Sequence, residues 1–215
     1  MAEAVIFDLD GILVDTEHYK FKAWQEAFRT LGVEITWEEF RQEFVVQGST
    51  IVEFLERRNY KEEFIEDDVR PVANRYFLRS IGEEVPSMPG AVEVLDRLHG
   101  DFVLGLASNS YWLYVDKLLE KFGMKRYFKG IANGSEVENL KPHPEVLLLA
   151  AERMGVDPEV CVVIEDAPKG IVAAKNAGMK GIAIPTEDTE TGDFSQADLV
   201  LKSLNDVTVE LVRNL

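Results

Sequence analysis

Six short apolar runs constrain the fold of this chain more than any other feature. The runs are continuous rather than alternating, which is typical of strands that are buried on both faces of a sheet. Amphipathic helical patterns lie between the later runs, and glycines stand where those helices should end. The alternation predicts an α/β fold with a Rossmann-like parallel sheet core and helices on both faces. The runs are residues 4–7, 102–107, 130–132, 160–164, 181–184 and 198–201.

Residues 17–80 follow a different pattern. They contain no strand-like run, and aromatic and aliphatic residues from Phe21 to Leu31 repeat at helical spacing and stop at Gly32. Three further amphipathic segments with many Glu and Arg residues follow, at 36–45, 50–58 and 61–80. We therefore predict a helical-bundle cap domain over 17–80, inserted into an α/β catalytic core formed by 1–16 and 81–215.

The charge balance restricts the partners of the protein. Thirty-nine acidic residues against 23 Lys and Arg give a net charge of −16, which disfavours nucleic acids and anionic membrane surfaces. Cys161 is the single cysteine, so no intrachain disulfide forms, and a buried thiol in a reducing compartment is expected. Without a signal peptide or a long apolar window, we expect a cytoplasmic protein, and nothing in the sequence requires more than a monomer.

Two aspartates directly follow the first predicted strand. Asp8 and Asp10 are two residues apart, so in an extended chain their side chains point to the same face. Open α/β sheets bind ligands beyond the carboxyl ends of their strands. One carboxylate could attack a substrate while the other carries a proton. The string is short, however, and a solvated acidic turn is an alternative interpretation of these residues alone.

A second acidic pair, Glu165 and Asp166, follows the strand predicted at 160–164. Two acidic strand ends in one sheet repel each other unless a cation lies between them, and carboxylate oxygens suit Mg²⁺. The alternative is an acid pair that the dipole of the following helix favours.

Ser108, Asn109 and Lys141 complete the set of polar residues after predicted strands. A hydroxyl and a backbone N–H at a helix start suit a phosphate group, and Lys141 could neutralise its charge. Taken singly, they also fit a helix N-cap and an exposed loop lysine. All of these groups lie at carboxyl strand ends or in the loops that follow, and together they predict a phosphate site that requires a magnesium ion.

Four strings resemble the haloacid dehalogenase-like hydrolase superfamily, and more closely its β-phosphoglucomutase-like branch. They are FDLDGILVDTE (7–17), LASNS (106–110), KPHPE (141–145) and VIEDAPKGIVAAKNAGM (163–179). The resemblance implies that Asp8 attacks phosphorus and forms an aspartyl phosphate, and that Asp10 protonates the leaving group and then activates water. Dehalogenases of the superfamily lack an acid at the position of Asp10, so this residue favours phosphoryl transfer.

The resemblance also implies a ligand set. Asp8, the backbone carbonyl of Asp10 and Asp166 would hold Mg²⁺, with Glu165 close by or ligating. Ser108, the backbone of Asn109 and Lys141 would hold the phosphoryl oxygens. The helical insert resembles the cap of the family, which closes over the site. Its expected substrate contacts are His18, Lys20 and Gly48, although His18 is also explained as an exposed residue of a first helical turn.

The expected function is that of a magnesium-dependent phosphatase for small phosphomonoesters of the sugar phosphate type. The alternative within the family is a β-phosphoglucomutase, which uses an Arg in the cap turn, a His in the first cap helix and a Lys after the second motif. This chain has Thr50, Lys20 and Tyr111 at or near those positions, and hydrolysis is therefore favoured. A non-catalytic phosphometabolite-binding protein would have damaged motifs, and none is seen.

Overall fold

A parallel sheet of six strands, in the order β3-β2-β1-β4-β5-β6, is the centre of the computed structural model, which describes residues 1–215. The strands are β1 (Ala4–Phe7), β2 (Val103–Ser108), β3 (Gly130–Asn133), β4 (Cys161–Glu165), β5 (Lys180–Ala183) and β6 (Leu199–Val200). Every neighbouring pair is parallel. Each of the six predicted runs overlaps one of these strands, and the predicted α/β fold is confirmed.

The strand order places β1 between β2 and β4, so the chain leaves β1 at a switch point of the sheet. Phe7 is in register with Leu106 on one side and Ile164 on the other. The N–H of Asp8 continues this ladder by donating to the carbonyl of Ile164 at 3.0 Å. Residues that follow these three strands therefore emerge side by side, where open α/β sheets bind ligands.

Helices cover the sheet because its central strands are apolar on both faces. They are α6 (Ala91–Leu98), α7 (Trp112–Lys121), α8 (Glu145–Met154), α9 (Pro168–Asn176) and α10 (Val209–Arg213). Ala4 and Ile6 of β1 belong to a buried cluster with α8 and α9. Val5 and Phe7 point to the opposite face and are also fully buried. Cys161 lies in the first cluster, and its burial raises the pKa of its thiol to about 11.

The structure divides into two compact units, one formed by Met1–Asp15 with Pro86–Leu215 and the other by Thr16–Val85. The second unit is helical, as the sequence predicts. It contains α1 (Glu17–Arg29), α2 (Trp37–Phe40) with a π-helical continuation Arg41–Val46, α3 (Ile51–Glu56), α4 (Glu62–Phe64) with a π-helical continuation Ile65–Val69, and α5 (Arg70–Glu83). The sequence places its end at residue 80, but α5 continues to Glu83. No helix in either unit combines the length and the apolar composition that crossing a bilayer would require.

Helix α8 lies directly on two glycines of the sheet. A Cβ atom at Gly130 of β3 would approach the carbonyl oxygen of Ala150 and the backbone nitrogen of Met154, both at 2.9 Å. A Cβ at Gly105 of β2 would meet the sulfur of Met154 at 2.2 Å. These glycines allow close contact between helix and strands, and at Gly130 the obstacle is a helix backbone that cannot move independently.

We predict that Gly130→Ala lowers the free energy of unfolding by about 1–3 kcal/mol, because the added methyl group overpacks a rigid contact. Gly82→Ala is the matched control, since a Cβ there meets nothing within 4 Å. It should leave stability unchanged or raise it by up to about 1 kcal/mol. Urea denaturation measures both values, and a Gly130→Ala protein as stable as the wild type would contradict this packing.

Candidate active site

A buried lysine connects the ends of three strands. Lys141 is only 4% exposed, and its Nζ donates to Asp8 Oδ1 at 2.7 Å and to Glu165 Oε1 at 2.5 Å. A third bond runs from Nζ to the carbonyl oxygen of Ala107 in β2, at 2.8 Å. The three N–H donors of the ammonium group thus have three oxygen partners, which fixes its position between β1, β2 and β4.

The charges of this cluster shift the pKa values of its members. Burial and the negative charges of Glu165 and Asp10 raise the pKa of Asp8 to about 7, although Lys141 opposes the shift. Burial alone would lower the pKa of Lys141, but the carboxylates of Asp8 and Glu165 outweigh it and raise that pKa above its usual range. Lys141 therefore keeps its positive charge, whereas Asp8 needs further positive charge nearby to be fully ionised at neutral pH.

Asp8, Glu165 and Asp166 form a group of buried carboxylates. One oxygen from each lies within 4.8 Å of the others. Lys141 offsets one of the three negative charges, so two remain in a site shielded from water. Oxygen-only donors with excess negative charge fit a hard divalent cation such as Mg²⁺. The side chain of Asp10 is outside this group, and coordination through its carbonyl oxygen stays a prediction.

Two glycines allow these carboxylates to pack against the backbone. A Cβ at Gly11 would lie 2.3 Å from Asp166 Oδ2, and Gly11 also has a φ of +77°, which disfavours other residues. A Cβ at Gly170 in α9 would lie 1.9 Å from the carboxyl carbon of Glu165. The acidic strand ends are therefore held against the DLDG turn and the start of α9, and a larger residue at either glycine would displace a carboxylate.

Asp10 accepts hydrogen bonds from two serine hydroxyls. Ser110 Oγ donates to Asp10 Oδ2 at 2.7 Å, and Ser108 Oγ donates to the same oxygen at 3.2 Å. Asp10 and Ser108, two of the predicted site residues, thus lie together. Ser110 received no role from the sequence, although it belongs to the string LASNS and is a hydroxyl residue in the loop directly after β2.

The side chain of Asn109 holds the backbone of Lys141. Asn109 Oδ1 accepts from the N–H of Lys141 at 3.0 Å, and its Nδ2 donates to the Lys141 carbonyl at 3.3 Å. Asn176 in α9 donates to the carbonyl of the next residue, Pro142, at 3.1 Å. The predicted contact of the Asn109 backbone with phosphate remains a prediction, and the structure adds a side-chain role that the sequence did not indicate.

The predicted cap residues lie in the helical unit. His18 is exposed in the first turn of α1 and stacks on Trp37 with a centroid distance of 3.9 Å. Lys20 pairs with Glu17 at 2.9 Å. Gly48 has a φ of +75° in the turn before α3. None of these contacts tests the predicted role of the three residues in substrate binding, which therefore stays a prediction.

Thr50 has a local structural role at the start of α3. Its side chain accepts from the N–H of Glu53 at 3.1 Å, while the Glu53 carboxylate accepts from the N–H of Thr50 at 2.7 Å. This reciprocal capping box stabilises the first turn of the helix. In this chain Thr50 therefore caps a helix, whereas the resemblance implies that a mutase has a phosphate-binding Arg at or near this position.

Comparison with known proteins extends the resemblance beyond the motifs. The family model of the haloacid dehalogenase-like hydrolases matches residues 2–178. Hexitol phosphatase B of Escherichia coli K12 is 31% identical over 213 residues, which cover 96% of this chain and 95% of that protein. The predicted enzyme class, a hydrolase of this family with relatives named as phosphatases, is thereby confirmed.

Solved structures agree with the fold over nearly its whole length. The crystal structure of CbbY from Rhodobacter sphaeroides in complex with phosphate has a TM-score of 0.84, with 28% identity and 96% of each chain covered. The β-phosphoglucomutase of Clostridium difficile has a TM-score of 0.83, with 30% identity, covering 100% of this chain and 96% of that one. With its sheet, its site and its motifs, this chain belongs to the haloacid dehalogenase-like hydrolase family.

Proposed function

We propose that this protein is a magnesium-dependent phosphatase that hydrolyses small phosphomonoesters of the sugar phosphate type through an aspartyl phosphate on Asp8. The observation that carries the proposal is the buried cluster at the switch point of the sheet. There Lys141 contacts Asp8 and Glu165, Asp166 completes a carboxylate group, and Asp10 lies beside Ser108. The cluster combines a nucleophile, a proton carrier and cation-binding oxygens in one place.

In the first proposed step, a carboxylate oxygen of Asp8 attacks phosphorus and the bond from phosphorus to the ester oxygen breaks. Asp10 gives its proton to that oxygen, so the alcohol leaves uncharged. In the second step, Asp10 takes a proton from water as the water oxygen attacks the phosphorus of the aspartyl phosphate. The bond from phosphorus to Asp8 breaks, inorganic phosphate forms and both carboxyl groups return to their starting states.

Positive charge controls access to this nucleophile. A phosphate dianion and the Asp8 carboxylate repel each other, and Lys141 offsets part of that repulsion from its fixed position. Asp8, Asp166 and the carbonyl of Asp10, with Glu165 adjacent or ligating, would hold the magnesium ion. Once bound, that ion supplies the remaining charge neutralisation for Asp8 and the phosphoryl oxygens. Ser108, the backbone of Asn109 and Lys141 would bind the other phosphoryl oxygens.

The relatives and the overall charge support the proposed substrate class. Hexitol phosphatase B is named for a small sugar alcohol phosphate, and the CbbY structure contains phosphate. A net charge of −16 disfavours large polyanions, while the local charge of Lys141 allows a small one. These observations support a small phosphorylated metabolite as the substrate.

A β-phosphoglucomutase is the second candidate, because the mutase of Clostridium difficile is 30% identical over almost the whole chain. The residues in this chain argue against it. Thr50 caps a helix, and Lys20 pairs with Glu17 inside the first turn of α1. A mutase must hold a second phosphate, and an Arg binds one in a bidentate manner that neither Thr nor Lys can reproduce. We therefore favour water as the phosphoryl acceptor.

Replacing the nucleophile should abolish turnover without unfolding the protein. We expect Asp8→Asn to lower kcat for p-nitrophenyl phosphate by at least about 10³-fold. The pKa of Asp8 is raised to about 7, so its negative charge is unfavourable in the folded protein. Because the amide removes that charge, the melting temperature in EDTA should not fall. Asp206→Asn, at an exposed position of the same unit, is the matched control. Retained activity in Asp8→Asn would exclude Asp8 as the nucleophile.

Metal binding can be measured separately from catalysis. We expect Mg²⁺ to raise the melting temperature of the wild-type protein, and Asp166→Asn to weaken Mg²⁺ affinity by about tenfold or more. Isothermal titration with MgCl₂ gives the affinity, and Asp206→Asn again serves as the control. Wild-type affinity in Asp166→Asn would remove this residue from the ligand set.

A single assay distinguishes hydrolase activity from mutase activity. With β-glucose 1-phosphate, Mg²⁺ and a catalytic amount of glucose bisphosphate, we expect free phosphate to appear faster than glucose 6-phosphate. The reason is that this chain lacks an Arg in the cap turn to retain a bisphosphate intermediate. Faster formation of glucose 6-phosphate than of free phosphate would show that the protein is a mutase.

A further inference from the structure

We propose that Ser110 is a positioning residue that orients Asp10 for proton transfer to the leaving group. The inference rests on the proposed function, because it assumes that Asp10 is the proton carrier. It goes beyond that function by giving a role to a residue of the string LASNS to which the sequence assigned none.

The first argument is the contact itself. The 2.7 Å bond from Ser110 Oγ to Asp10 Oδ2 is shorter than the 3.2 Å bond from Ser108 Oγ to the same oxygen. A separation of 2.7 Å is the usual length of a well-formed O–H···O hydrogen bond, whereas 3.2 Å is long for one. Two donors that converge on one oxygen restrict the rotation of the carboxyl group, so its direction is set by the loop after β2.

The second argument is that Ser110 is itself held in place. Its N–H donates to Ser108 Oγ at 3.0 Å, and its carbonyl accepts from the N–H of Gly134 at 3.0 Å. Gly134 can approach this closely because it has no Cβ, which would lie 2.2 Å from the carbonyl oxygen of Asn109. Ser110 is therefore anchored to the ends of β2 and β3, and rigid support of this kind is what a precisely aimed donor requires.

The third argument concerns the single proton of each hydroxyl. In the proposed mechanism Ser108 binds a phosphoryl oxygen, and a serine hydroxyl has only one proton to donate. When Ser108 Oγ donates to phosphate, it no longer donates to Asp10. Of the two serines, Ser110 is then the one that still holds the Asp10 carboxyl group. At that step, the direction of the Asp10 carboxyl group decides whether the leaving oxygen receives a proton.

A purely structural role for Ser110 would have a different kinetic effect. Loss of a loop contact would disturb Asp8, Ser108 and Lys141 together and slow every substrate to the same extent. Loss of orientation at Asp10 would slow only those substrates whose leaving oxygen must be protonated. An alkyl phosphate requires that proton, since an alkoxide is a poor leaving group, whereas p-nitrophenolate leaves as a stable anion.

The test compares kcat/KM for p-nitrophenyl phosphate with kcat/KM for sorbitol 6-phosphate, since this ratio reports the steps up to departure of the leaving group. We expect Ser110→Ala to lower the value for sorbitol 6-phosphate about tenfold more than the value for p-nitrophenyl phosphate. Ser110→Thr, which keeps the hydroxyl, should restore most of the difference.

The matched control is Ser135→Ala. Ser135 lies in the nearby loop after β3, and its hydroxyl accepts from the N–H of Trp112 at 3.0 Å, with no bond to Asp10 among its contacts. This variant should leave the ratio between the two substrates at its wild-type value. An equal loss on both esters in Ser110→Ala, or no loss on either, would overturn the inference.

A crystal structure of Ser110→Ala provides a readout that does not depend on turnover. We expect the Asp10 carboxyl group to leave its wild-type rotamer in Ser110→Ala and to keep it in Ser110→Thr. An unchanged Asp10 rotamer in Ser110→Ala would overturn the positioning role even in an inactive protein. Failure of the proposed function is recognised separately, by a wild-type protein that releases phosphate from neither ester.

Discussion

The ion cluster of Lys141 with Asp8 and Glu165 is the interaction on which the site depends. Removing charged groups from water costs several kcal/mol for each ion, and their mutual attraction compensates only when the geometry is good and every donor is satisfied. Lys141 meets this condition, because its ammonium group has three oxygen partners at 2.5–2.8 Å. The cluster remains unbalanced, with more carboxylates than ammonium groups. Burial and this excess negative charge together raise the pKa of Asp8, and the same excess fits the site to a divalent cation.

The parallel sheet brings the members of the cluster together from distant parts of the sequence. Asp8 and Lys141 are 133 residues apart, and Lys141 and Glu165 are 24 residues apart. The order β2-β1-β4 places three carboxyl strand ends side by side, and Gly11 and Gly170 let the carboxylates lie against the backbone. Asn109 then holds the loop of Lys141 by both of its backbone groups. The topology gives the approximate location, and these local contacts give the geometry.

The sequence predicts most of this arrangement, for identifiable reasons. Strands buried on both faces have continuous apolar runs, so the central strands are recognisable, and the exposed edge strand β6 also lies in a short apolar run. The helices end near glycines in the left-handed region, such as Gly123 and Gly155. The roles of Ser110 and of the Asn109 side chain were not predictable, because they depend on how loops after different strands approach each other. The π-helical continuations of α2 and α4 do not follow from the sequence either, because an amphipathic pattern does not distinguish π-helix from α-helix. Helix α5 continues beyond residue 80, the predicted end of the last helical segment, because Ile81 is buried and extends its apolar face.

The negative charge of the whole chain and the negative charge of the site both oppose the binding of phosphate. At a net charge of −16, the protein repels a phosphate dianion at long range, and the carboxylates around Lys141 add a local repulsion. A site of this kind binds phosphate weakly until its excess negative charge is neutralised. Neutralisation by a cation strengthens phosphate binding, and by linkage bound phosphate strengthens cation binding by the same factor. Metal and substrate affinities should therefore be strongly coupled, and the origin of that coupling lies in the single ammonium group that shares a buried site with three carboxylates.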